Sequence, residues 1–285
     1  MNINWFPGHM AKTRRLIQEH LKLVDVVVEI RDARIPVSSG NPMIEELLGN
    51  KPRVILLNKC DMADDEVTQK WISYFQSAHT RVLLTDSVSG KGLDKVVGAV
   101  KSLVPEKMER YREKGMRFIP KMMVVGVPNV GKSSFINKLT GKSSAKTGDR
   151  PGVTTAKQWI RIQNEIELLD TPGILWPKFE QPEVGQKLAF TRAIKDEILD
   201  IEELCFFFLK CLLQQGYRKN IEQRYKIEIP EEAEPYSLME MIGKKRGFVM
   251  RGGEIDLLRT SHTVMDEYQS GLLGNITLEK PEDLQ

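Results

Sequence analysis

Residues 126–133 read Gly-Val-Pro-Asn-Val-Gly-Lys-Ser, which satisfies the pattern GxxxxGK[ST] in full. The apolar run Met122–Val125 precedes the motif, and a helix-like segment follows it from Ser133. Glycines let main-chain N–H groups close around a phosphate, and the helix N-terminus adds a favourable dipole. Lys132 can reach the β- and γ-phosphates, while the Ser133 hydroxyl can ligate Mg²⁺. The stretch predicts a strand–loop–helix unit that binds a nucleotide, without indicating which base.

A second motif, Asn58-Lys59-Cys60-Asp61, fits NKxD and follows the apolar run Val54–Leu57. Open α/β sheets bind ligands at the carboxyl ends of their strands. The Asp61 carboxylate can accept hydrogen bonds from N1–H and the 2-amino group of guanine, and adenine offers neither donor there. The Lys59 stem can lie along the base, and Asn58 can tie this loop to the phosphate loop. Alone the motif is ordinary polar loop composition, but beside a phosphate loop it predicts guanine recognition.

The segment Thr85–Gly92 supplies a further predicted base contact. Its sequence is similar to the SAxxGxG element of GTPases, with Val88 where alanine is usual. Because the contact to guanine O6 uses the main-chain N–H of Val88, the side-chain change matters little. Asp86 and Ser87 belong to the same predicted contact.

Two segments are typical of γ-phosphate switches. Asp170-Thr-Pro-Gly173 matches DxxG, so that Asp170 can hold Mg²⁺ through a water and the Gly173 N–H can sense the γ-phosphate. Upstream, Pro151–Thr155 resembles the switch-threonine segment. Thr154 is the predicted ligand that completes the Mg²⁺ coordination, with Thr155 as the alternative.

The predicted nucleotide contacts therefore lie in four loops and the start of one helix. They are Asn58, Lys59, Cys60, Asp61, Asp86, Ser87, Val88, Asn129, Val130, Gly131, Lys132, Ser133, Ser134, Phe135 and Gly173.

The predicted catalytic residues are His9, Lys132 and Thr154. Ras-type proteins place a glutamine after DxxG to orient water, but Ile174 stands here and cannot do so. The chain thereby resembles GTPases with a hydrophobic residue at this position, in several of which a phosphate-loop asparagine helps to bind K⁺. That resemblance makes Asn129 the K⁺ candidate. His9 is the candidate to position water; the alternative is a structural cap beside a packed Trp5-Phe6 pair.

Strand-like and helix-like segments alternate up to about residue 178 and predict an α/β fold with a mostly parallel sheet and helices on both faces. A hairpin is expected around Asn164-Glu165, and the chain is helical thereafter. We expect a GTPase domain over 14–178, an N-terminal extension over 1–13 and a smaller all-α domain over 179–285. The predicted strands are Val24–Ile30, Arg53–Leu57, Arg81–Thr85, Met122–Val125, Gln158–Ile162 and Ile166–Leu169.

Composition favours a cytoplasmic protein without a membrane partner. Of the 285 residues, 41% are hydrophobic and 28% charged, and no apolar run approaches the ~20 residues of a membrane span. The N-terminus lacks the apolar segment of a signal peptide, and three cysteines show no metal spacing. The expected state is a monomer.

Net charge is only +3, but basic residues cluster. Such clusters either contact RNA phosphates or form a solvated face. The candidates for RNA contact are Lys12, Arg14, Arg15, Lys244, Lys245 and Arg246.

The order of the motifs is a circular permutation of the Ras order, since NKxD here precedes the phosphate loop. With this order the chain resembles the ribosome-biogenesis GTPase A family. The likeness extends along nearly the whole chain and includes WFPGHMAK, DARIP, NPMIE, NKCD, PNVGKSS, KTGDRPGVTT, LLDTPGILWPKFE and KKRG. The resemblance implies a GTP-hydrolysing factor for late maturation of the large (50S) subunit, with a helical C-terminal domain that contacts ribosomal RNA. In that scheme the GTP state binds the immature particle and hydrolysis releases it.

Two other classes of function stay open from the residues alone. A metabolic nucleotide-using enzyme such as a kinase is disfavoured by the pairing of NKCD with DTPG. An RNA-modification or signalling GTPase that regulates a protein partner is the closer alternative, and the basic clusters favour RNA only weakly.

Overall fold

The computed structural model describes residues 10–141, 159–169, 181–194 and 200–284, with side chains from residue 14 onward. In the described residues the strands are β1 Val26–Asp32, β2 Arg53–Asn58, β3 Thr80–Thr85, β4 Lys121–Val125, β5 Trp159–Ile162 and β6 Ile166–Leu169. The α-helices are α1 Met10–Leu21, α2 Pro42–Leu48, α3 Asp65–Phe75, α4 Val96–Ser102, α5 Pro105–Glu113, α6 Lys132–Thr140, α7 Pro182–Phe190, α8 Ile201–Gln214, α9 Arg218–Tyr225, α10 Pro235–Arg246 and α11 Leu257–Gln269.

The strands form one sheet in the order β3-β2-β1-β4-β6-β5, which confirms the predicted fold class. Every neighbouring pair is parallel except β5 and β6, which form an antiparallel hairpin. Gln163, Asn164 and Glu165 join the two strands, and the first two have φ angles of 49° and 57°. Two successive positive φ angles suit the right-handed twist of a hairpin. The predicted hairpin is therefore present, and the rest of the sheet brings its carboxyl ends to one edge.

Helices cover both faces of the sheet. On one face, Ile17 of α1 and Met43 of α2 pack with Val27 and Met123. Trp71 of α3, which is fully buried, continues this face over β2. The other face packs against Val96 of α4 and Phe135 of α6. Because helices cover both faces, the central strands contain continuous hydrophobic runs, such as Val54–Leu57 in β2 and Met122–Val125 in β4.

The C-terminal helices share a core with the sheet. One hydrophobic cluster extends from Val26 and Met122 to Leu204 of α8 and Met265 of α11. After α11 the chain returns to the sheet, where the Ile276 N–H donates to Met62 O at 3.0 Å. The predicted boundary at residues 178 and 179 stays a prediction, because residues 170–180 lie outside the described part.

Candidate nucleotide site

The phosphate loop joins β4 to α6 and is shaped by left-handed backbone angles. Gly126, Asn129 and Gly131 have φ values of 157°, 57° and 105°. A Cβ on Gly126 would lie 2.6 Å from the Ile30 carbonyl oxygen, and one on Gly131 would overlap the Asn58 amide nitrogen. Both positions therefore require glycine, and the loop keeps its main chain open toward a ligand.

The side chain of Lys132 already lies inside this loop. Its Nζ donates to the carbonyl oxygens of Gly126 and Val127 at 3.2 and 3.0 Å. Ser133 and Ser134 are half-buried at the start of α6, whereas Val130 and Phe135 are buried and hold the helix against the sheet. A triphosphate that enters the loop would meet the Lys132 ammonium and the N-terminus of α6 together.

Asn58, at the end of β2, holds three loops together. Its Nδ2 donates to Val130 O at 2.8 Å, which fixes the phosphate loop. Its Oδ1 accepts hydrogen bonds from Ser87 N at 2.9 Å, Ser87 Oγ at 2.8 Å and Thr85 Oγ1 at 3.2 Å. With only 2% of its surface exposed, Asn58 satisfies its buried neighbours and sets the spacing between the base-side and phosphate-side loops.

Lys59 follows in a left-handed conformation, with φ of 60°, and its ammonium points to the end of β1. There the Nζ lies 3.0 Å from Asp32 Oδ2. Asp32 also accepts from Arg34 Nε at 2.9 Å and from Arg34 Nη2 at 2.8 Å. Burial alone would raise the pKa of Asp32, but the positive charges of Arg34 and Lys59 hold that pKa well below its usual range.

Asp61 is exposed at the mouth of the same loop, and Cys60 beside it is buried. The neighbouring Asp86 shapes its own turn by accepting from Val88 N at 2.8 Å and Ser89 N at 3.1 Å. Although partial burial raises the pKa of Asp86, a hydrogen bond from the Ser89 side chain and those from the Val88 and Ser89 N–H groups bring that pKa below its usual value. Since the Val88 N–H is donated to Asp86, a contact to guanine O6 requires that this N–H be shared.

Asn129, the K⁺ candidate, contacts the C-terminal region. Its Nδ2 donates to Arg192 O at 2.7 Å, in the turn that follows α7. Arg192 in turn reaches Asp266 of α11 at 2.5 Å. The phosphate loop is thus in direct contact with the helical part of the chain.

Several predicted site residues lie outside the described residues: His9, Thr154, Thr155, Asp170, Gly173 and Ile174. Of the predicted Mg²⁺ ligands, the structure places Ser133 alone. Within the described ranges there is no group of three or more His, Cys, Asp or Glu side chains that could hold a metal.

Sequence reasoning did not single out Asp32 and Arg34 as part of this site. The segment Asp32–Pro36 was noted only as a family resemblance, because nothing local shows that its charges face Lys59. A carboxylate at the end of a buried strand, next to a strand that ends in NKxD, is the one signal that could have indicated it.

A parallel sheet with GxxxxGK[ST] after one strand and NKxD two strands away defines a P-loop GTPase, an enzyme that hydrolyses GTP. The family described as 50S ribosome-binding GTPase matches residues 121–239. A ribosome biogenesis GTPase A of Bacillus cereus is 50% identical over 285 residues, covering 99% of this chain and 95% of that protein. The chain belongs to the ribosome biogenesis GTPase A family.

Two solved structures of YlqF also match the chain. The GDP-bound structure of TM YlqF superimposes with a TM-score of 0.66 at 28% identity, covering 94% of this chain and 100% of that one. GNP-bound YlqF from T. maritima gives a TM-score of 0.65 at 27% identity and covers 95% and 99%. In the described residues, no helix is both long and apolar enough to cross a membrane.

Proposed function

We propose that this ribosome-biogenesis GTPase acts on the large (50S) ribosomal subunit during its late maturation. In its GTP state it binds the immature particle, and hydrolysis releases it. The match with the B. cereus ribosome biogenesis GTPase A over 99% of the chain carries the proposal. The 50S ribosome-binding description of the matching family supports the choice of subunit.

The proposed division of labour in the site follows from the chemistry of its loops. Lys132 neutralises charge on the β- and γ-phosphates, and Asp61 accepts hydrogen bonds from guanine. Ser133, Thr154 and, through a water, Asp170 hold Mg²⁺, which when bound neutralises phosphate charge. The Gly173 N–H senses the γ-phosphate. The other predicted nucleotide contacts belong to the same loops and line the nucleotide site.

The contact between Asn129 and Arg192 supports a switch that reaches the C-terminal helices. The γ-phosphate orders the segments around Thr154 and Gly173, and Gly173 precedes α7 by nine positions. Nucleotide state would then bias the surface that the C-terminal helices offer to the particle.

That surface includes basic side chains at the end of α10. Lys244 and Lys245 are exposed there. Arg246 also has a structural role, because it pairs with Glu267 at 2.6 Å and lies 5.2 Å over the Tyr225 ring. Arg14, near the other end of the chain, pairs with Glu46. Arg15 is exposed like Lys244 and Lys245, and the side chain of Lys12 lies outside the described residues. The contribution of these basic residues to RNA binding should weaken steeply with salt.

Co-sedimentation with immature large subunits tests this function. The chain should pellet with the particle when a non-hydrolysable GTP analogue is bound and stay in the supernatant with GDP. Rising KCl should release it, and Lys244→Ala with Lys245→Ala should reduce pelleting at fixed salt. Equal pelleting in both nucleotide states, or affinity that is independent of salt, would contradict the proposal.

Hydrolysis is proposed to use K⁺ at Asn129. GTP turnover in KCl should exceed turnover in NaCl of equal concentration, and Asn129→Ala should remove the difference. Equal turnover of the unmodified chain in the two salts would rule this out.

His9 is proposed to position the attacking water. His9→Ala should lower turnover while GTP affinity stays unchanged. Unaltered turnover would assign His9 a structural role.

A further inference from the structure

Asp32, the last residue of β1, and Arg34, in the turn that follows, form a charged pair beside the nucleotide site that has no assigned part in nucleotide binding. Asp32 and Arg34 are 2% and 1% exposed, so their charges are almost fully removed from water. Such burial is costly unless the pair is well hydrogen-bonded. Here Arg34 donates hydrogen bonds to the Asp32 carboxylate from Nε and Nη2, and its main-chain N–H donates a third at 3.0 Å.

Arg34 alone already offers a donor to each oxygen of Asp32. Lys59 adds another cation at 3.0 Å, and its side chain is 22% exposed, unlike the two buried partners. Its ammonium is thus anchored by a buried partner, and its stem connects that anchor to the loop that carries Asp61. A lysine stem held at both ends offers a fixed apolar surface with little rotamer freedom left to lose on binding.

The Arg34 guanidinium is itself held from the C-terminal side. It lies 5.0 Å from the centre of the Tyr268 ring of α11, and its Nη1 is 3.5 Å from Tyr268 O. The Arg34 carbonyl accepts from Leu278 N at 2.8 Å. Arg34 therefore has little freedom to leave Asp32, and the anchor for Lys59 is preorganised before any nucleotide enters.

We propose that Asp32 is a positioning residue for guanine recognition, which holds the Lys59 ammonium so that the Lys59 stem forms one wall of the base pocket. The proposal rests on the guanine site described above. Asp32 does not touch the nucleotide; it acts through Lys59, and Arg34 keeps it in place. The left-handed backbone of Lys59 fits this role, because such strain persists only where the surroundings fix it.

A double-mutant cycle on GDP affinity tests the proposal. The variants are Asp32→Asn, Lys59→Met and the two combined, titrated with GDP in the full-length chain. Asp32→Asn should raise the Kd about tenfold in the unmodified background, since a charged hydrogen bond that orders the base wall is lost. In the Lys59→Met background the same change should raise the Kd less than twofold, because the residue through which Asp32 acts is already gone.

Asp25 offers a matched control at the opposite end of β1. It precedes the strand, pairs with Lys107 at 2.6 Å and accepts from Lys121 N at 2.8 Å. Asp25→Asn removes an aspartate–lysine pair, more exposed than the Asp32–Lys59 pair, at the end of β1 opposite the nucleotide edge. It should leave the Kd for GDP unchanged.

The outcomes separate positioning from simple structural support. The proposal is overturned if Asp32→Asn raises the Kd by the same factor with and without Lys59. It is also overturned if Asp32→Asn does not raise the Kd at all. If thermal unfolding shows that Asp32→Asn does not fold, Asp32→Glu replaces it in the same cycle, with a smaller rise that must again vanish in Lys59→Met. An unmodified chain that binds no GDP would refute the guanine site itself, whereas GDP binding with additive variants would refute only the role of Asp32.

Discussion

The phosphate loop and the base-reading loop lie at the same edge of the sheet but are supported in different ways. The phosphate loop is shaped by its own glycines, and Lys132 contacts carbonyls only five and six positions away. The base-reading side is supported from far along the chain, since Asp64 N donates to Thr277 Oγ1, 213 positions later. The Lys132 contacts are therefore local in sequence, although Asn58 and Arg192 also contact the phosphate loop from distant positions. The base-reading side, by contrast, is supported by the C-terminal segment of the chain.

The largest effect is expected at Lys132, because its ammonium is the positive charge that the phosphate loop offers to the nucleotide. Lys132→Ala should reduce GTP turnover on the order of a hundredfold or more, because positioned charge on the phosphates dominates catalysis of this kind. Steady-state phosphate release measures it, and Lys70→Ala, on the exposed side of α3, is the control. Turnover within a few-fold of the unmodified chain would mean that the phosphates are held elsewhere.

Asn58 is the point at which the two loops meet, so its loss should affect both. Asn58→Ala leaves Val130 O and the Ser87 donors without their buried partner and should cost about 3 kcal/mol of unfolding free energy. GDP affinity should fall about tenfold or more, because the spacing between the loops is no longer fixed. Urea unfolding and GDP titration report the two effects; a loss of stability with unchanged GDP affinity would separate the loops energetically.

A substitution of Glu279 tests whether the C-terminal segment supports the base-reading side of the site. Its carboxylate accepts from Val37 N at 2.7 Å and from Ser38 Oγ, and it lies 3.3 Å from Lys187 Nζ. Glu279→Gln should lower the unfolding free energy by about 1–3 kcal/mol, since a 4% exposed anion loses its charge while its donors remain. GDP affinity should fall less than in Asn58→Ala.

Glu282, a few residues further on, supplies the control for Glu279. It pairs with Lys70 at 2.7 Å, with both side chains more than half exposed. Glu282→Gln should leave the urea midpoint unchanged, because exposed ion pairs contribute little. An equal shift in both variants would show that the C-terminal segment is not held by the buried carboxylate.

The same contrast explains what the sequence could predict. The apolar strands and the phosphate loop are local patterns, and the structure has all six predicted strands, with bounds that differ by a few residues at most. Helix α5 has no helical signal of this kind, because it buries no residue and so has no apolar stripe. Helix α9 has a weak signal for a related reason, since Ile221 and Tyr225 are its only buried residues.

The support of the base-reading loop could not be predicted for a different reason. The contacts of Arg34 with Tyr268 and of Trp71 Nε1 with Glu279 O join positions more than 200 residues apart. No periodicity or motif spacing carries such pairs, because they depend on how the C-terminal helices pack against the sheet. The sequence shows that Asp32 carries a charge, but it does not show that the Asp32 carboxylate pairs with Lys59.

The most direct test of guanine reading by the Asp61 loop is competition by nucleoside diphosphates for bound fluorescent GDP. IDP lacks only the 2-amino group, so it should bind more weakly than GDP by about tenfold or more, and ADP, which lacks both donors, should be weaker by ~10⁴. That order, GDP before IDP before ADP, is the predicted result. Equal competition by GDP and ADP would show that the base is not read and would contradict the account.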